Sequence, residues 1–137
     1  MHQHIAHIAL VVKDYDEAIG FYINKLDFTL LEDTVLDEKK RWVTIAPPGA
    51  KECSLLLAKA ANDEQLKSVG NQTGGRVFLF LFTDNIDRDY AKMIERGIHF
   101  VRTPSVQPHG KVAVFADLYG NLWDLIQPNE HNKGVIK

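Results

Sequence analysis

The sequence predicts an α+β fold in which two pseudo-symmetric βαβββ modules form cupped mixed sheets. Three observations support this prediction: apolar runs of strand length, two amphipathic helical segments between them, and an internal repeat at an offset of 71 residues. We expect one domain over residues 1–137, with a first module at about 4–61, a second at about 75–128 and a polar tail at 129–137.

The first module opens with an apolar run at residues 4–13, which is typical of a strand buried on both faces. Asp14 and Glu17 form a capping-box pattern, so a helix is expected to begin there. Apolar residues then recur at helical spacing: Ala18, Ile19, Tyr22, Ile23 and Leu26. Three further strands are predicted at residues 28–36, 41–46 and 52–59.

The second module repeats this order after a polar stretch at residues 62–75 that includes one short helix. A strongly apolar strand is predicted at 76–83, and Asp84 or Asn85 is expected to cap the next helix. That helix places Tyr90, Met93 and Ile94 on one face and ends at Gly97. The remaining strands are predicted at 98–103, 111–117 and 121–127.

The internal repeat pairs the two halves residue by residue. At an offset of 71, Tyr22 falls on Met93 and Gly49 on Gly120. Two copies of βαβββ imply two four-stranded sheets, and twisted sheets placed side by side enclose a concave space suited to a small ligand.

Composition limits the classes of partner. The chain has 16 basic and 18 acidic residues and a net charge of -2, without a basic block, so no nucleic-acid partner is expected. No signal-peptide pattern is present, and no apolar run approaches the ~20 residues that cross a bilayer, so no membrane partner is expected. Cys53 is the only cysteine, which favours a reducing, cytoplasmic setting. The expected partner is a small molecule or a second copy of the chain.

Two motifs carry a family resemblance. The run HIALVVKD at residues 7–14, followed by the helix with Phe21 and Tyr22, resembles the opening of a vicinal-oxygen-chelate module. The run DLYGNLWDL at residues 117–125 resembles the closing turn and strand of that superfamily, which includes glyoxalases, bleomycin-resistance proteins and extradiol dioxygenases. The resemblance spans roughly residues 5–128 and implies the fold of that superfamily, a metal-centred or metal-derived pocket and a homodimer.

The resemblance implies metal ligands on the first and last strands. His7 matches the first-strand ligand and Asp124 the last-strand ligand, so both are candidate metal ligands and catalytic residues. The repeat places Phe78 opposite His7, and Cys53 or, after a one-residue slip, Ser54 opposite Asp124. Two ligands rather than four would hold a divalent ion (Zn, Ni, Mn or Fe) weakly, or none at all. The alternatives are that His7 is an ordinary core histidine or that it forms a buried pair with Asp124.

A loop and an aromatic strand supply the candidate substrate-binding residues. The run PSVQPHG at residues 104–110 is predicted to be a loop covering a pocket mouth, which makes His109 a candidate, with plain turn chemistry as the alternative. Phe78, Phe80 and Phe82 alternate along one strand and form either an aromatic pocket floor or an ordinary sheet core. The candidate substrate-binding residues are Phe78, Phe80, His109 and Trp42.

Three functions remain open at this point. The first is a glyoxalase-like lyase or dioxygenase-like enzyme with a degenerate metal site at His7 and Asp124. The second is a metal-free protein of the bleomycin-resistance type that sequesters a small, flat or cationic compound. The third is a domain retained for dimerisation or protein contact. Fold alone does not choose among these functions.

Overall fold

The computed structural model describes residues 1–134 and divides the chain into two compact units, one over residues 1–72 and one from Thr73 onward. The predicted polar tail at 129–137 is therefore described as far as Gly134, and residues 135–137 lie outside the described part. The first unit contains β1 His7–Val12, α1 Tyr15–Leu26, β2 Thr29–Val35, β3 Arg41–Ala46, β4 Ser54–Lys59 and α2 Asp63–Leu66. The second contains β5 Val77–Phe82, α3 Ile86–Glu95, β6 Phe100–Gln107, β7 Gly110–Ala116 and β8 Leu122–Pro128.

Each unit contains a four-stranded mixed sheet with the same topology. The strand orders are β1-β4-β3-β2 and β5-β8-β7-β6. In each sheet the first and last strands of the module pair in parallel and the remaining pairs are antiparallel. The predicted α+β fold of two βαβββ modules is confirmed. Within residues 1–134, no helix has the length and apolar character needed to cross a membrane.

Local capping fixes where the two main helices begin. The Asp14 carboxylate accepts a hydrogen bond from the Glu17 backbone N–H at 2.9 Å, and the Asn85 side chain accepts one from the Arg88 N–H at 3.0 Å. Gly97, with φ of 82°, follows the last turn of α3 as expected. The predicted apolar face of α3 needs one correction, since Met93 is buried but Ile94 is 48% exposed.

Alternate residues of each sheet form its helix-facing core. In the first unit these residues are Leu10, Val12, Val43, Ile45, Leu55 and Leu57. In the second unit they are Ala113, Phe115, Trp123 and Leu125. Because successive side chains of a strand point to opposite faces, the residues between these positions lie on the sheet face away from the helix. We call the two resulting surfaces the open face of the first sheet and the open face of the second sheet.

The predicted loop at 104–110 is wrong for most of its length. Strand β6 continues to Gln107, so only Pro108 and His109 form the turn before β7. A proline within a strand argued for a loop, but β6 is an edge strand, where the missing N–H costs no ladder hydrogen bond. The pairing with β7 also shifts register between Arg102 and Ser105, on either side of the proline.

The repeat does not keep a constant offset of 71. The hairpin loop between β3 and β4 covers residues 47–53, whereas the one between β7 and β8 covers only 117–121. Ala9 and Phe80 match at the offset of 71, and they pair with Leu56 and Asp124 respectively, so the residue equivalent to Asp124 is Leu56. The predicted equivalents, Cys53 and Ser54, are therefore wrong. Cys53, with φ of 61°, lies in the loop before β4 and not in the strand predicted at 52–59.

Candidate functional site

The open face of the first sheet holds three polar or aromatic side chains in contact. His7 and Ser54 are register partners on the parallel strands β1 and β4, and His7 Nδ1 and Ser54 Oγ share a hydrogen bond at 2.5 Å. The Trp42 ring meets the His7 ring edge-on, with centroids 5.7 Å apart. Two predicted site residues, His7 and Trp42, are thus brought together. Buried Ser54 fixes the orientation of the His7 imidazole through their hydrogen bond.

A cavity of about 1050 Å³ continues from Trp42 toward the charged turn before β3, and we call it the Trp42 cavity. Its apolar and aromatic lining comes mainly from Tyr15, Trp42, Leu56 and Ala58. Its charged lining comes from Asp37, Glu38, Lys39, Lys40, Arg41 and Lys59. This volume exceeds that of a drug-sized ligand, so the cavity has room for a polycyclic molecule.

Arg41 forms a rigid wall of the Trp42 cavity. Its guanidinium pairs with Asp33 at 2.6 Å and with Asp16 at 2.9 Å, and it lies 5.1 Å from the centre of the Tyr15 ring. The hydrogen bond from Arg41 holds the pKa of Asp33 below its ordinary value, against the opposing effect of burial. The Arg41 charge is consequently neutralised by acids of its own unit.

The open face of the second sheet carries a row of four residues that are in register across its strands: Phe80, Asp124, Val114 and Arg102. Asp124 is half-buried, and within residues 1–134 its carboxylate forms no hydrogen bond or close ion pair. Burial raises the pKa of Asp124, while the positive charges of His109 and Arg102 act in the opposite direction. The carboxylate is therefore available to a ligand that donates a hydrogen bond.

A second cavity, of about 380 Å³, lies on this same unit and includes two more predicted residues. Phe80, Phe82 and Ile126 line it together with His109, His131 and Asn132. The Asn129 and Asn132 side-chain amides donate hydrogen bonds to the carbonyls of Pro108 and His109 at 2.9 and 3.2 Å. Residues 129–132, the start of the predicted polar tail, are therefore hydrogen-bonded to the turn that carries His109.

Phe78 does not share the position of Phe80 and Phe82. The register between β5 and β8 shifts between Val77 and Leu79, which interrupts the alternation at Phe78. The Phe78 ring lies edge-on to Trp123, with centroids 6.5 Å apart, and Trp123 belongs to the helix-facing core. Binding of substrate by Phe78 stays a prediction, and Phe78 does not line the cavity that Phe80 and His109 share.

The donor set within each unit does not fit a catalytic divalent ion. His7 belongs to the first unit and Asp124 to the second, and among residues 1–134 no three His, Cys, Asp or Glu side chains gather as a metal site. The neighbours of His7 are a neutral hydroxyl and an indole ring, and Leu56 stands at the position equivalent to Asp124. A catalytic zinc ion normally needs three protein ligands, and Arg102 beside Asp124 would oppose a bound cation.

Some site residues were missed at the level of sequence. The repeat indicates Ser54 only as a possible equivalent of Asp124, whereas the structure makes it the partner of His7. Arg102 and Tyr15 were not considered, since their roles depend on strand register and on a contact between α1 and β3. The charged run at residues 37–41 is plain in the sequence, but only the structure shows that it borders a cavity.

The family of the protein follows from comparison with known proteins. Residues 4–125 match the Glyoxalase/Bleomycin resistance protein/Dioxygenase superfamily, and the chain belongs to this superfamily. The resemblance noted in the two sequence motifs is confirmed.

Relatives and solved structures cover nearly the whole chain. An uncharacterised protein of Shewanella frigidimarina (strain NCIMB 400) is 62% identical over 131 residues, covering 95% of this chain and 97% of its own. YurT of Bacillus subtilis (strain 168) is 30% identical over 124 residues, covering 87% and 94%. The crystal structure of UcmS2 matches with a TM-score of 0.80 at 28% identity, covering 92% and 98% of the two chains. That of TnmS3, an antibiotic binding protein from Streptomyces sp. CB03234, matches with a TM-score of 0.76 at 32% identity, covering 93% and 98%.

Proposed function

We propose that this protein binds a small aromatic molecule without a metal ion and sequesters it without turnover. The observation that carries the proposal is the Trp42 ring, which is half-buried in the lining of a large cavity and in edge-on contact with His7. An indole fixed in this way offers a preformed face for stacking a flat ligand at little cost in side-chain entropy. The likeness to TnmS3, described as an antibiotic binding protein, supports the same class of function.

The chemistry of the open face of the first sheet favours binding over catalysis. The His7 Nδ1 is already hydrogen-bonded to Ser54, and no second titratable side chain accompanies them in the described contacts. General acid–base catalysis needs a group within reach of the reacting atom and usually a partner that orients it for proton transfer. The His7–Ser54 pair instead orients a ring that supports Trp42.

Tryptophan fluorescence tests the proposal directly. The chain has two tryptophans, and Trp123 is only 2% exposed, so an aromatic ligand that quenches the emission by stacking acts mainly on Trp42. We would titrate metal-free protein with polycyclic aromatic antibiotics and with the neutral probe N-phenyl-1-naphthylamine. Saturable quenching and a raised Tm are expected, because a ligand that binds only the folded state stabilises it.

A matched pair of variants shows whether the ligand lies on Trp42. Trp42→Ala is expected to weaken binding by about tenfold or more, as loss of a central aromatic contact usually does. Leu31→Ala removes a side chain that is 55% exposed on the edge strand β2, outside the Trp42 cavity, and is expected to leave affinity unchanged. If no aromatic compound binds, or if binding requires an added divalent ion, the proposal fails.

Homodimer formation and a cytoplasmic setting are part of the same proposal. Both sheets expose apolar side chains at their edges, including Val35 at 73% and Val106 at 82%. Exposed apolar residues at sheet edges are suited to association with a second copy. Light scattering over a range of concentrations measures the oligomeric state.

A further inference from the structure

The Trp42 cavity combines an aromatic surface with cationic side chains, and this combination restricts the ligand that fits it. Tyr15, Trp42, Leu56 and Ala58 supply the aromatic and apolar lining. Lys39, Lys40 and Lys59, all exposed, line the same space. A ligand that uses both features has a flat apolar body and a negatively charged group.

The acids near the Trp42 cavity form no ion pair with these lysines, so the ammonium groups are available to a ligand. Within the described residues, no ion pair involves the side chain of Lys39, Lys40 or Lys59. Asp16 and Asp33 are occupied by Arg41.

The two acids of the lining do not balance the lysines. Asp37 Oδ1 accepts the backbone N–H groups of Lys39 and Lys40, each at 2.8 Å, which ties this carboxylate into the turn. Glu38 is the other acid, so three ammonium groups face two carboxylates. With Arg41 and its two partners Asp16 and Asp33 included, four cations and four acids border this space, so the attraction for an anion comes from the three lysines that no ion pair of the described residues holds.

The geometry of the turn keeps Lys39 and Lys40 beside the cavity. The backbone N–H groups of Leu36 and Asp37 donate to the Lys40 carbonyl at 2.9 and 3.2 Å, closing the turn before β3. Lys59 is the last residue of β4 and alternates to the side of Leu57, so it borders the cavity from the end of the strand, next to the open-face residue Ala58. The amines therefore come from two segments that border one space, and together they can bind an anion more strongly than a lone surface lysine.

We propose that the lysines of the Trp42 cavity bind the acidic group of the ligand, so that this protein takes small aromatic acids bearing a carboxylate, sulfonate or phosphate. This inference rests on the proposed function, because it assumes that the aromatic body lies on Trp42. It adds the charge of the ligand and the residues that select it.

Two fluorescent probes with the same aromatic skeleton test the inference. 8-Anilino-1-naphthalenesulfonate carries a sulfonate, and N-phenyl-1-naphthylamine is the same chromophore without it. The anionic probe is expected to bind more tightly than the neutral one at low salt. Its advantage should shrink as salt is added, because ions screen attraction between exposed charges.

Lysine variants locate the charge effect. Lys40→Gln and Lys59→Gln are each expected to weaken the anionic probe by about threefold, and the double variant by about tenfold, as partly exposed ion pairs do. The affinity for the neutral probe should stay the same in every variant. Lys51→Gln is the control, since Lys51 is an exposed lysine in the loop before β4 and does not line the cavity.

A sulfonate is only one of the three acidic groups proposed. The affinities of a naphthalene carboxylate and a naphthyl phosphate are therefore compared with that of the uncharged naphthalene carboxamide. The inference is overturned if both probes bind equally and the lysine variants change neither, and in that case aromatic binding itself still stands. If neither probe binds in a Trp42-dependent manner, the proposed function fails and this inference fails with it. Circular dichroism and the Tm of each variant confirm that the fold is retained.

Discussion

His7 Nδ1 and Ser54 Oγ lie 2.5 Å apart on neighbouring parallel strands, and this hydrogen bond fixes the imidazole against Trp42. Ser54 is 7% exposed, so its hydroxyl would be costly to leave without a partner. The contact connects the backbone register of β1 and β4 to the orientation of the aromatic ring that lines the cavity.

The energetic role of this pair is measurable. Ser54→Ala and His7→Ala are each expected to lower the free energy of unfolding by about 1 kcal/mol, the usual net value of a protein hydrogen bond. The double variant should lose less than the sum of the two, with a coupling of about 0.5–1.5 kcal/mol. Urea unfolding of the four proteins measures the cycle. Strict additivity would show that the two side chains do not stabilise each other.

Asp124 is expected to make stability depend on pH in an unusual direction. Burial raises the pKa of Asp124 in the folded protein, so the folded state holds this proton more tightly than the unfolded chain, whose ordinary value is 3.8. At a pH above its folded pKa, Asp124 therefore lowers the free energy of unfolding. This penalty decreases as the pH falls from the folded pKa toward the unfolded pKa. Asp124→Asn removes this penalty and should raise the Tm at neutral pH, with the gain disappearing in acid.

An acid with the opposite shift provides the control for Asp124. The hydrogen bond from Arg88 lowers the pKa of exposed Asp84, so Asp84→Asn should give no gain at neutral pH. Melting curves of both variants, recorded from acid to neutral pH, measure the change in Tm relative to the parent protein. A neutral-pH Tm of Asp124→Asn below that of the parent protein would contradict the expected sign.

The fold was largely predictable because its local signals agree with one another. Apolar runs of strand length, the cap at Asp14 and the glycine after α3 each specify the same element order, which the topology confirms. The family followed from the closing motif at residues 117–125, which is specific even in one sequence.

The arrangement within the candidate site was less predictable because it depends on register. The equivalence of Leu56 and Asp124 arises from two hairpin loops of different length, and a sequence offset does not reveal such a shift. The attachment of residues 129–132 by Asn129 and Asn132 depends on contacts with a distant turn. Neither feature has a local sequence signal.

Divalent ions are expected to have little effect on stability. The resemblance implied a weak metal at His7 and Asp124, whereas the donors near each residue do not fit one. We expect untagged protein to have the same Tm with EDTA and with Mn²⁺, Fe²⁺, Ni²⁺ or Zn²⁺, and His7→Ala to respond identically. A rise in Tm with one ion that disappears in His7→Ala would instead support the metal-dependent enzyme.

Gly110, the first residue of β7, is expected to tolerate no side chain. Its φ is 140°, and an added Cβ would lie 2.4 Å from the Gln127 carbonyl oxygen on the paired strand β8. Gly110→Ala should therefore lower the free energy of unfolding by about 2 kcal/mol or more, through backbone strain and a clash that neither strand can relieve.

Gly20→Ala is the matched comparison, because Gly20 lies within α1 and the nearest atom to its added Cβ, Asn24 Nδ2, is 4.0 Å away. That variant should gain about 0.5–1 kcal/mol from helix propensity. Urea denaturation of the two variants checks the opposite signs, and a Gly110→Ala protein as stable as its parent would show that β7 and β8 do not approach as closely as this register requires.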